Sequence, residues 1–410
     1  MDIVRHDVWL HDGLVGHLDS RSNYSWVHFA DEYLARSDRP VLGLRFEEDL
    51  YDKMSANFRL PQWFSNLLPE GTLREWIAED RDVSSDRELE LLDQVGHDLP
   101  GAVRVLEAGE RPLAVDDDGS DLRLPGHVSV PQDDTWRFSL AGVGLKFSVL
   151  GKGDRFTCSA TGKGGDWILK LPDPTYPAVP RNEYTMMRLA LESGIDVPEV
   201  RLVHRDQIDG IRGSVWPSHE NWAYAVRRFD RTPERGRVHI EDLAQVRGVY
   251  PWQKCEGNFE TIAGLVYRGH DELSLREFAR RLVFNILIAN GDAHLKNWSL
   301  IYRDPRVPTL SPAYDLVSTA VYRPGNDPED LGLKFASSKH FEPVRLTHFA
   351  RLARKLGSSS DLAEVAAEVI ERVTAVWPRY KDELAEVAGI GDAVSASINS
   401  RAESLRHGAR

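Results

Sequence analysis

Three patterns in the sequence predict an α+β fold with two lobes, a small α+β N-terminal subdomain and an all-helical C-terminal lobe. Residues 1–105 combine a hairpin signal with helical segments, and residues 135–235 alternate apolar and polar residues around glycine-rich turns. Residues 236–410 show the periodicity of packed helices. The polar, turn-rich residues 106–134 are predicted to be a linker.

In the N-terminal subdomain, apolar residues at 8–10 and 14–18 flank the turn at 11–13 and predict a β-hairpin. Further strands are predicted at 41–46 and 102–105. Two helical regions are predicted, at 60–77 and at 86–95, and the second is expected to have Ser84 or Ser85 as its N-cap.

The middle region is predicted to be a sheet with one helix, at 182–193. Its strands are predicted at 136–140, 145–150, 156–158, 166–172, 199–203 and 223–229. The last region is predicted to contain a strand at 298–302 and fraying at 401–410. Its helices are predicted at 239–247, 258–268, 273–290, 346–356, 360–374 and 378–388.

The charge and the cysteines limit the class of protein. The formal net charge is 51 − 64 = −13, so the surface as a whole repels nucleic acid. Cys158 and Cys255 have no metal-ligand spacing and are expected to be free thiols in a reducing cytoplasm. The sequence shows neither a signal-peptide pattern nor an apolar run long enough for a membrane span, and we expect a cytoplasmic protein.

The most informative stretch follows the predicted helix at 273–290. Four residues separate Asp292 from Asn297, which is the spacing of a kinase catalytic loop, where the aspartate accepts a hydroxyl proton and the asparagine binds Mg²⁺. The spacing alone is weak, because Asp-x4-Asn is common in turns. His294 lies within the loop and either orients Asp292, touches phosphate or makes a structural hydrogen bond.

Other residues of the same chemistry occur in the order that phosphoryl transfer requires. Gly142 and Gly144, on either side of Val143, let backbone N–H groups approach phosphate, although an ordinary turn explains them as well. Lys170 is a strand lysine suited to phosphate, or a solvated one. Glu183 is either its partner or a first-turn glutamate favoured by the helix dipole.

Asp315 follows a strand after the Asp292 loop and has the position of a second metal carboxylate; a turn or cap residue is the alternative. No single residue decides between these interpretations. The order of glycine turn, strand lysine, helix, Asp-x4-Asn, strand and aspartate predicts a two-lobed, protein-kinase-like fold.

The chain resembles the HipA family of bacterial toxin serine/threonine kinases, which belong to type II toxin–antitoxin pairs. The resemblance includes Asn-Leu-Leu-Pro-Glu-Gly at 66–71 and Gly-Asp-Ala-His-Leu-Lys-Asn at 291–297. The other matching segments are 96–103, 138–143, 167–172, 182–184, 228–231, 241–242 and 312–315. Together they span roughly residues 1–320 in family order.

The resemblance implies ATP and Mg²⁺ as cofactors. It implies that Asp292 is the catalytic base, that Asn297 and Asp315 bind Mg²⁺, and that Ser139 is autophosphorylated, which silences the kinase. The residues implied to bind ATP are Gly142, Val143, Gly144, Lys170, Arg227, Phe229 and His294. Gly144 stands where many relatives have glutamine. Arg227 stands where some relatives have glutamate.

The resemblance also implies partners: a HipB-like DNA-binding antitoxin, DNA only through that antitoxin, and a protein substrate such as an aminoacyl-tRNA synthetase. The residues leave two alternative functions open. One is a small-molecule phosphotransferase of the aminoglycoside or choline type, and the other is a nucleotide-binding pseudokinase that acts through its partner.

Overall fold

The structure, a computed structural model, describes residues 3–112, 145–158, 164–211, 213–217, 219–323, 329–384 and 389–407. The core of the predicted linker and the glycine turn, with Ser139, Gly142, Val143 and Gly144, therefore lie outside the described residues.

The N-terminal unit is an antiparallel sheet with short helices. Its strands are β1 (Val4–Leu10), β2 (Gly13–Arg21), β3 (Tyr24–Phe29), β4 (Ser55–Asn57) and β5 (Val103–Glu107), in the order β4-β3-β2-β1-β5. Its helices are α1 (Asp31–Leu34), α2 (Leu44–Glu48), α3 (Gln62–Ser65), α4 (Gly71–Asp80) and α5 (Glu88–Val95). The predicted hairpin is confirmed, because Leu10 pairs with Gly13 at its tip.

Two local predictions in this unit are wrong. Residues 44–48 form helix α2 instead of a strand, because the Leu44 N–H donates to the distant Glu241 carboxylate at 2.9 Å and fixes the start of the helix. Arg87, and neither Ser84 nor Ser85, is the N-cap of α5; the Ser84 hydroxyl instead accepts from the Asp86 N–H within a turn.

A six-stranded sheet follows, in the order β10-β7-β6-β8-β11-β9. Its strands are β6 (Lys146–Lys152), β7 (Arg155–Cys158), β8 (Trp167–Lys170), β9 (Val200–His204), β10 (Ile208–Asp209) and β11 (Trp222–Arg227), and helix α6 (Val179–Glu192) lies between β8 and β9 in the chain.

The period-2 alternation of β11 shows how this sheet is packed. Ala223 and Ala225 belong to a core shared with the N-terminal unit, whereas Tyr224 and Val226 belong to a core shared with α6 and the helical lobe. Both faces of the sheet are therefore covered, and the N-terminal unit packs directly on the first lobe. The predicted domain limits at 105, 135 and 235 stay a prediction.

The second lobe is predominantly helical and also contains a small sheet. Its helices are α7 (Leu243–Arg247), α8 (Phe259–Tyr267), α9 (Glu272–Leu287), α10 (Leu346–Leu356), α11 (Leu362–Val376) and α12 (Ile390–Arg406). Its strands are β12 (His239–Asp242), β13 (Ser299–Tyr302) and β14 (Thr309–Leu310), in the order β12-β13-β14. Within the described ranges, no helix is long and apolar enough to cross a membrane.

Three predictions for this lobe require correction. Residues 239–242 pair with β13 as a strand instead of beginning a helix. In place of a helix at 378–388, the described part has 3₁₀ turns at Trp377–Arg379 and Lys381–Leu384. Residues 401–406 do not fray, because they complete α12 and bury Ala402 and Leu405 in the core.

Candidate active site

Lys170, at the end of β8, joins three parts of the molecule. Its Nζ lies 2.6 Å from Glu183 Oε1 on α6 and 2.5 Å from Asp315 Oδ1 on the segment after β14. Burial opposes the charge on Lys170, but the two carboxylates outweigh burial and raise the pKa of the ammonium. Burial raises the pKa of Glu183 to about 7 despite the nearby lysine.

The Asp292 loop begins where α9 ends. Ala289 has a left-handed backbone with φ of 52°, which turns the chain out of the helix. The next residue, Asn290, is 1% exposed and its Oδ1 accepts the Asp292 N–H at 3.0 Å. Its Nδ2 donates to the Asp315 carbonyl oxygen at 3.2 Å, so one amide holds both loops of the site.

Asp292 is open to solvent, and its neighbours fix its backbone. Asn297 Nδ2 donates to the Asp292 carbonyl oxygen at 2.6 Å, and His294 Nε2 lies 3.6 Å from Asp292 Oδ1. Although 63% of the Asp292 side chain is exposed, the protein packed around its carboxyl raises the pKa of that group, and His294 acts against this rise. Burial lowers the pKa of His294, so its imidazole is neutral near pH 7.

Asp315 has a left-handed backbone, with φ of 55°, which is uncommon for a residue other than glycine and often marks a functional site. Asp315 and Asn297 line one cavity together with Asn290 and Tyr314. Burial opposes the charge on Asp315, yet Lys170 and Lys146 lower the pKa of its carboxyl, so Asp315 is ionised.

Asn297 and Asp315 line one cavity and carry oxygen atoms of the kind that Mg²⁺ binds, so their chemistry fits such a site. In the described part of the chain, no group of three or more histidine, cysteine, aspartate or glutamate side chains is suited to a metal. Mg²⁺ commonly takes one or two protein oxygens and fills its octahedral shell with phosphate and water. Because Asn297 donates through Nδ2, its Oδ1 is the atom left for a cation.

The predicted ATP-binding residues in the described part of the chain have different surroundings. The Phe229 ring lies 5.6 Å from the Tyr314 ring, directly beside the Asp315 segment. His294 Nδ1 is buried and has no hydrogen-bond partner among the described residues. Arg227 lies at the end of β11, where its guanidinium is 3.6 Å from the Glu199 carboxylate.

Sequence reasoning assigned no role to Lys146 or Asn290. Lys146 lies opposite Lys170 on the neighbouring strand, and burial lowers the pKa of its ammonium to about 8. The alternation of apolar and polar residues at 145–150 predicts a strand but not its neighbour. The register between β6 and β8 shows that Lys146 and Lys170 share one face of the sheet. Asn290 belongs to the polar loop, but its contact with Asp315 joins residues 25 positions apart.

Comparison with known proteins identifies the family of the chain. The family model of the HipA-like C-terminal domain matches residues 138–377, and that of the HipA N-terminal domain matches residues 6–106. The chain belongs to the HipA family. This membership confirms the resemblance noted in the sequence and makes the protein a member of a kinase family.

Two relatives and one solved structure agree with this assignment. The chain is 42% identical over 376 residues to Y4dM of Sinorhizobium fredii, a protein named provisionally as a kinase, with 89% of each chain covered. It is 26% identical over 374 residues to the serine/threonine-protein kinase toxin HipA of Shewanella oneidensis, covering 82% of this chain and 79% of the relative.

The structural comparison concerns the fold. HipA in a HipA, HipB and operator DNA complex from Shewanella oneidensis superposes with a TM-score of 0.69 at 21% identity, over 98% of this chain and 97% of that one. The two-lobed α+β fold with its N-terminal unit is thereby confirmed.

Proposed function

We propose that this HipA-family protein is an ATP- and Mg²⁺-dependent serine/threonine protein kinase and the toxin of a type II toxin–antitoxin pair. The main support is the contact of Lys170 with both Glu183 and Asp315. In protein kinases, a strand lysine paired with a helix glutamate and a metal-binding aspartate must both be in place for phosphoryl transfer.

In this proposal Asp292 is the base that accepts the proton of the attacking hydroxyl, and neutral His294 lies beside it. Asn297 and Asp315 hold Mg²⁺, which neutralises the charge of the transferred phosphoryl group when it is bound. Lys170 and Lys146 contact the phosphates from adjacent strands. Phe229 packs against adenine, His294 Nδ1 is available to the nucleotide, and Arg227 and the glycine turn at 142–144 complete the ATP site.

The regulatory part of the proposal rests on family resemblance. Ser139 is proposed to be autophosphorylated, which silences the kinase. The protein substrate is proposed to be a translation protein such as an aminoacyl-tRNA synthetase. A HipB-like antitoxin is proposed as the partner, in line with the Shewanella complex that shares the fold. The net charge of −13 supports DNA contact through the antitoxin rather than through this chain.

The test is phosphopeptide mass spectrometry after expression of the wild type and of Asp292→Gln. We expect phosphate on Ser139 and on one cytoplasmic protein in the wild type and on neither in the variant, with both proteins folded. Phosphate on a small alcohol with no labelled protein would instead indicate a small-molecule phosphotransferase. ATP binding without turnover by the purified wild type would indicate a pseudokinase.

A further inference from the structure

We propose that Glu70, in the N-terminal unit, is a positioning residue for phosphoryl transfer that acts through Lys296 of the Asp292 loop. The inference rests on the proposed function, because it takes Asp292 as the base and Asn297 as a metal ligand. It makes the N-terminal unit part of the catalytic apparatus rather than a separate module.

Lys296 lies between Asp292 and Asn297, but its side chain leaves the site and enters the N-terminal unit. Its Nζ is 2.8 Å from Glu70 Oε1 and donates to the Asn66 carbonyl oxygen at 2.8 Å. Only 5% of the Lys296 side chain is exposed. An ammonium group held this way by two fixed oxygens restrains the short loop in which it lies.

Glu70 also reaches the loop by a second route. Its Oε2 accepts a hydrogen bond from Lys254 Nζ at 3.0 Å, and the Lys254 carbonyl oxygen accepts the Leu295 N–H at 3.1 Å. One carboxylate therefore binds a side chain of the loop and, through Lys254, its backbone. The Tyr314 hydroxyl donates to the Lys296 carbonyl oxygen at 2.9 Å, which extends the connection to the segment of Asp315.

Charge makes this contact different from simple packing. Burial opposes ionisation of Glu70, but Lys296 and Lys254 lower the pKa of its carboxyl to about 2, so Glu70 is negative at physiological pH. It therefore offsets the positive charges of Lys296 and Lys254, which it contacts at 2.8 and 3.0 Å.

Glu88 provides a matched control within the same unit. It is 2% exposed and binds the Leu60 N–H at 2.9 Å and the Ser65 hydroxyl at 2.9 Å, both in the N-terminal unit. Its nearest guanidinium groups belong to Arg59 and Arg74 of the same unit. Glu88→Gln therefore perturbs the N-terminal unit without removing a contact to the Asp292 loop.

The first experiment compares steady-state kinetics of purified Glu70→Gln, Glu88→Gln and wild type. We expect Glu70→Gln to lower kcat at least about tenfold with KM for ATP within about twofold, because a displaced base loop affects transfer more than nucleotide binding. Glu88→Gln should lower Tm and keep kcat within about twofold. A kcat for Glu70→Gln within about twofold of wild type would overturn the inference.

The charge-balanced double variant Glu70→Met/Lys296→Met is the second test, and it remains informative if Glu70→Gln does not fold. It removes both members of the Glu70–Lys296 pair, whereas Lys254 and Asp242 each lose one neighbouring charge. Its Tm should lie above that of Glu70→Gln, and its kcat should stay low because the loop has lost its anchor. Recovery of both Tm and kcat would contradict the inference.

Asp292→Asn in parallel distinguishes the two proposals. Loss of transfer in Asp292→Asn combined with wild-type kcat in Glu70→Gln would overturn the inference alone. Full transfer by Asp292→Asn would overturn the proposed function.

Discussion

The ammonium of Lys170 lies 2.5 Å from the carboxylate of Asp315, so one ion pair joins a strand of the first lobe to a loop of the second. The two residues are 145 positions apart in the chain. The same ammonium contacts Glu183, so the three side chains form one charged cluster. This cluster holds Asp315, a proposed metal ligand, against the first lobe.

Replacing Lys170 with Met should therefore abolish transfer and weaken the fold. We expect kcat to fall by about 10²-fold or more, because a preorganised cation at the phosphates is lost. Tm should also fall, because Glu183 and Asp315 are left as neighbouring carboxylates without their cation. Radiolabel transfer and thermal unfolding measure the two effects. Lys152 is an exposed lysine on the same sheet, and Lys152→Met should change neither kcat nor Tm. A wild-type kcat in Lys170→Met would exclude Lys170 from the site.

The pH dependence of kcat/KM should reveal Asp292. Its pKa is raised, and a protonated aspartate cannot accept the hydroxyl proton, so activity should increase as pH rises through this pKa. The acid limb should then lie above the ordinary aspartate value of about 3.9. Rates measured in buffers of constant ionic strength test this, and Asp292→Asn, which should lose transfer at every pH, is the control. A limb at or below about 3.9 would contradict the assignment.

Phe229 should contribute to nucleotide affinity rather than to the chemical step. Removal of an aromatic ring from a base typically costs about 1–3 kcal/mol, so Phe229→Ala should raise KM for ATP about tenfold and leave kcat within about threefold. Phe58→Ala is a suitable control, because Phe58 is 73% exposed. An unchanged KM for ATP in Phe229→Ala would place adenine elsewhere.

Lys146 should make ATP binding sensitive to alkaline pH. Burial lowers the pKa of its ammonium to about 8, so its charge is present below that pH and is lost above it. The Kd for ATP in the wild type should therefore increase as pH rises through about 8, and Lys146→Met should bind ATP about tenfold more weakly without this dependence. Calorimetric titration between pH 6 and about 9 measures both effects. If the Kd for ATP changes equally with pH in the wild type and in Lys146→Met, Lys146 is not the group whose titration affects ATP binding.

The buried charge cluster around Arg228 should be important for stability. Arg228 donates to both Asp230 oxygens, at 2.9 and 2.8 Å, and lies 3.4 Å from Asp98 of the N-terminal unit. Arg228→Met leaves buried carboxylates with less compensation and should cost about 3–5 kcal/mol in the free energy of unfolding, measured with urea. Arg36→Met, which breaks an exposed pair with Asp38, should change the free energy of unfolding far less, because solvent screens that pair. An equal loss in the free energy of unfolding in both variants would contradict the stabilising role of the Arg228 cluster.

Much of the fold was predictable because hydrophobic periodicity is local. The helix expected at 346–356 coincides with α10, and the apolar face of Phe278, Leu282 and Ile286 on α9 is fully buried. Residues 44–48 and 239–242 were not predictable in this way. The first forms a helix against Glu241 and the second a strand against β13, so distant partners decided both.

The sequence by itself determined which chemical groups are present and their order: Lys170, Asp292, Asn297 and Asp315, at spacings that match one family. The tertiary structure decided which groups meet. The pairing of Lys170 with Asp315, the bridge made by Asn290 and the anchoring of Lys296 by Glu70 all form between elements far apart in the chain. Local preference acts over a few residues, whereas ion pairs of this kind form only when two packed cores have brought their elements together.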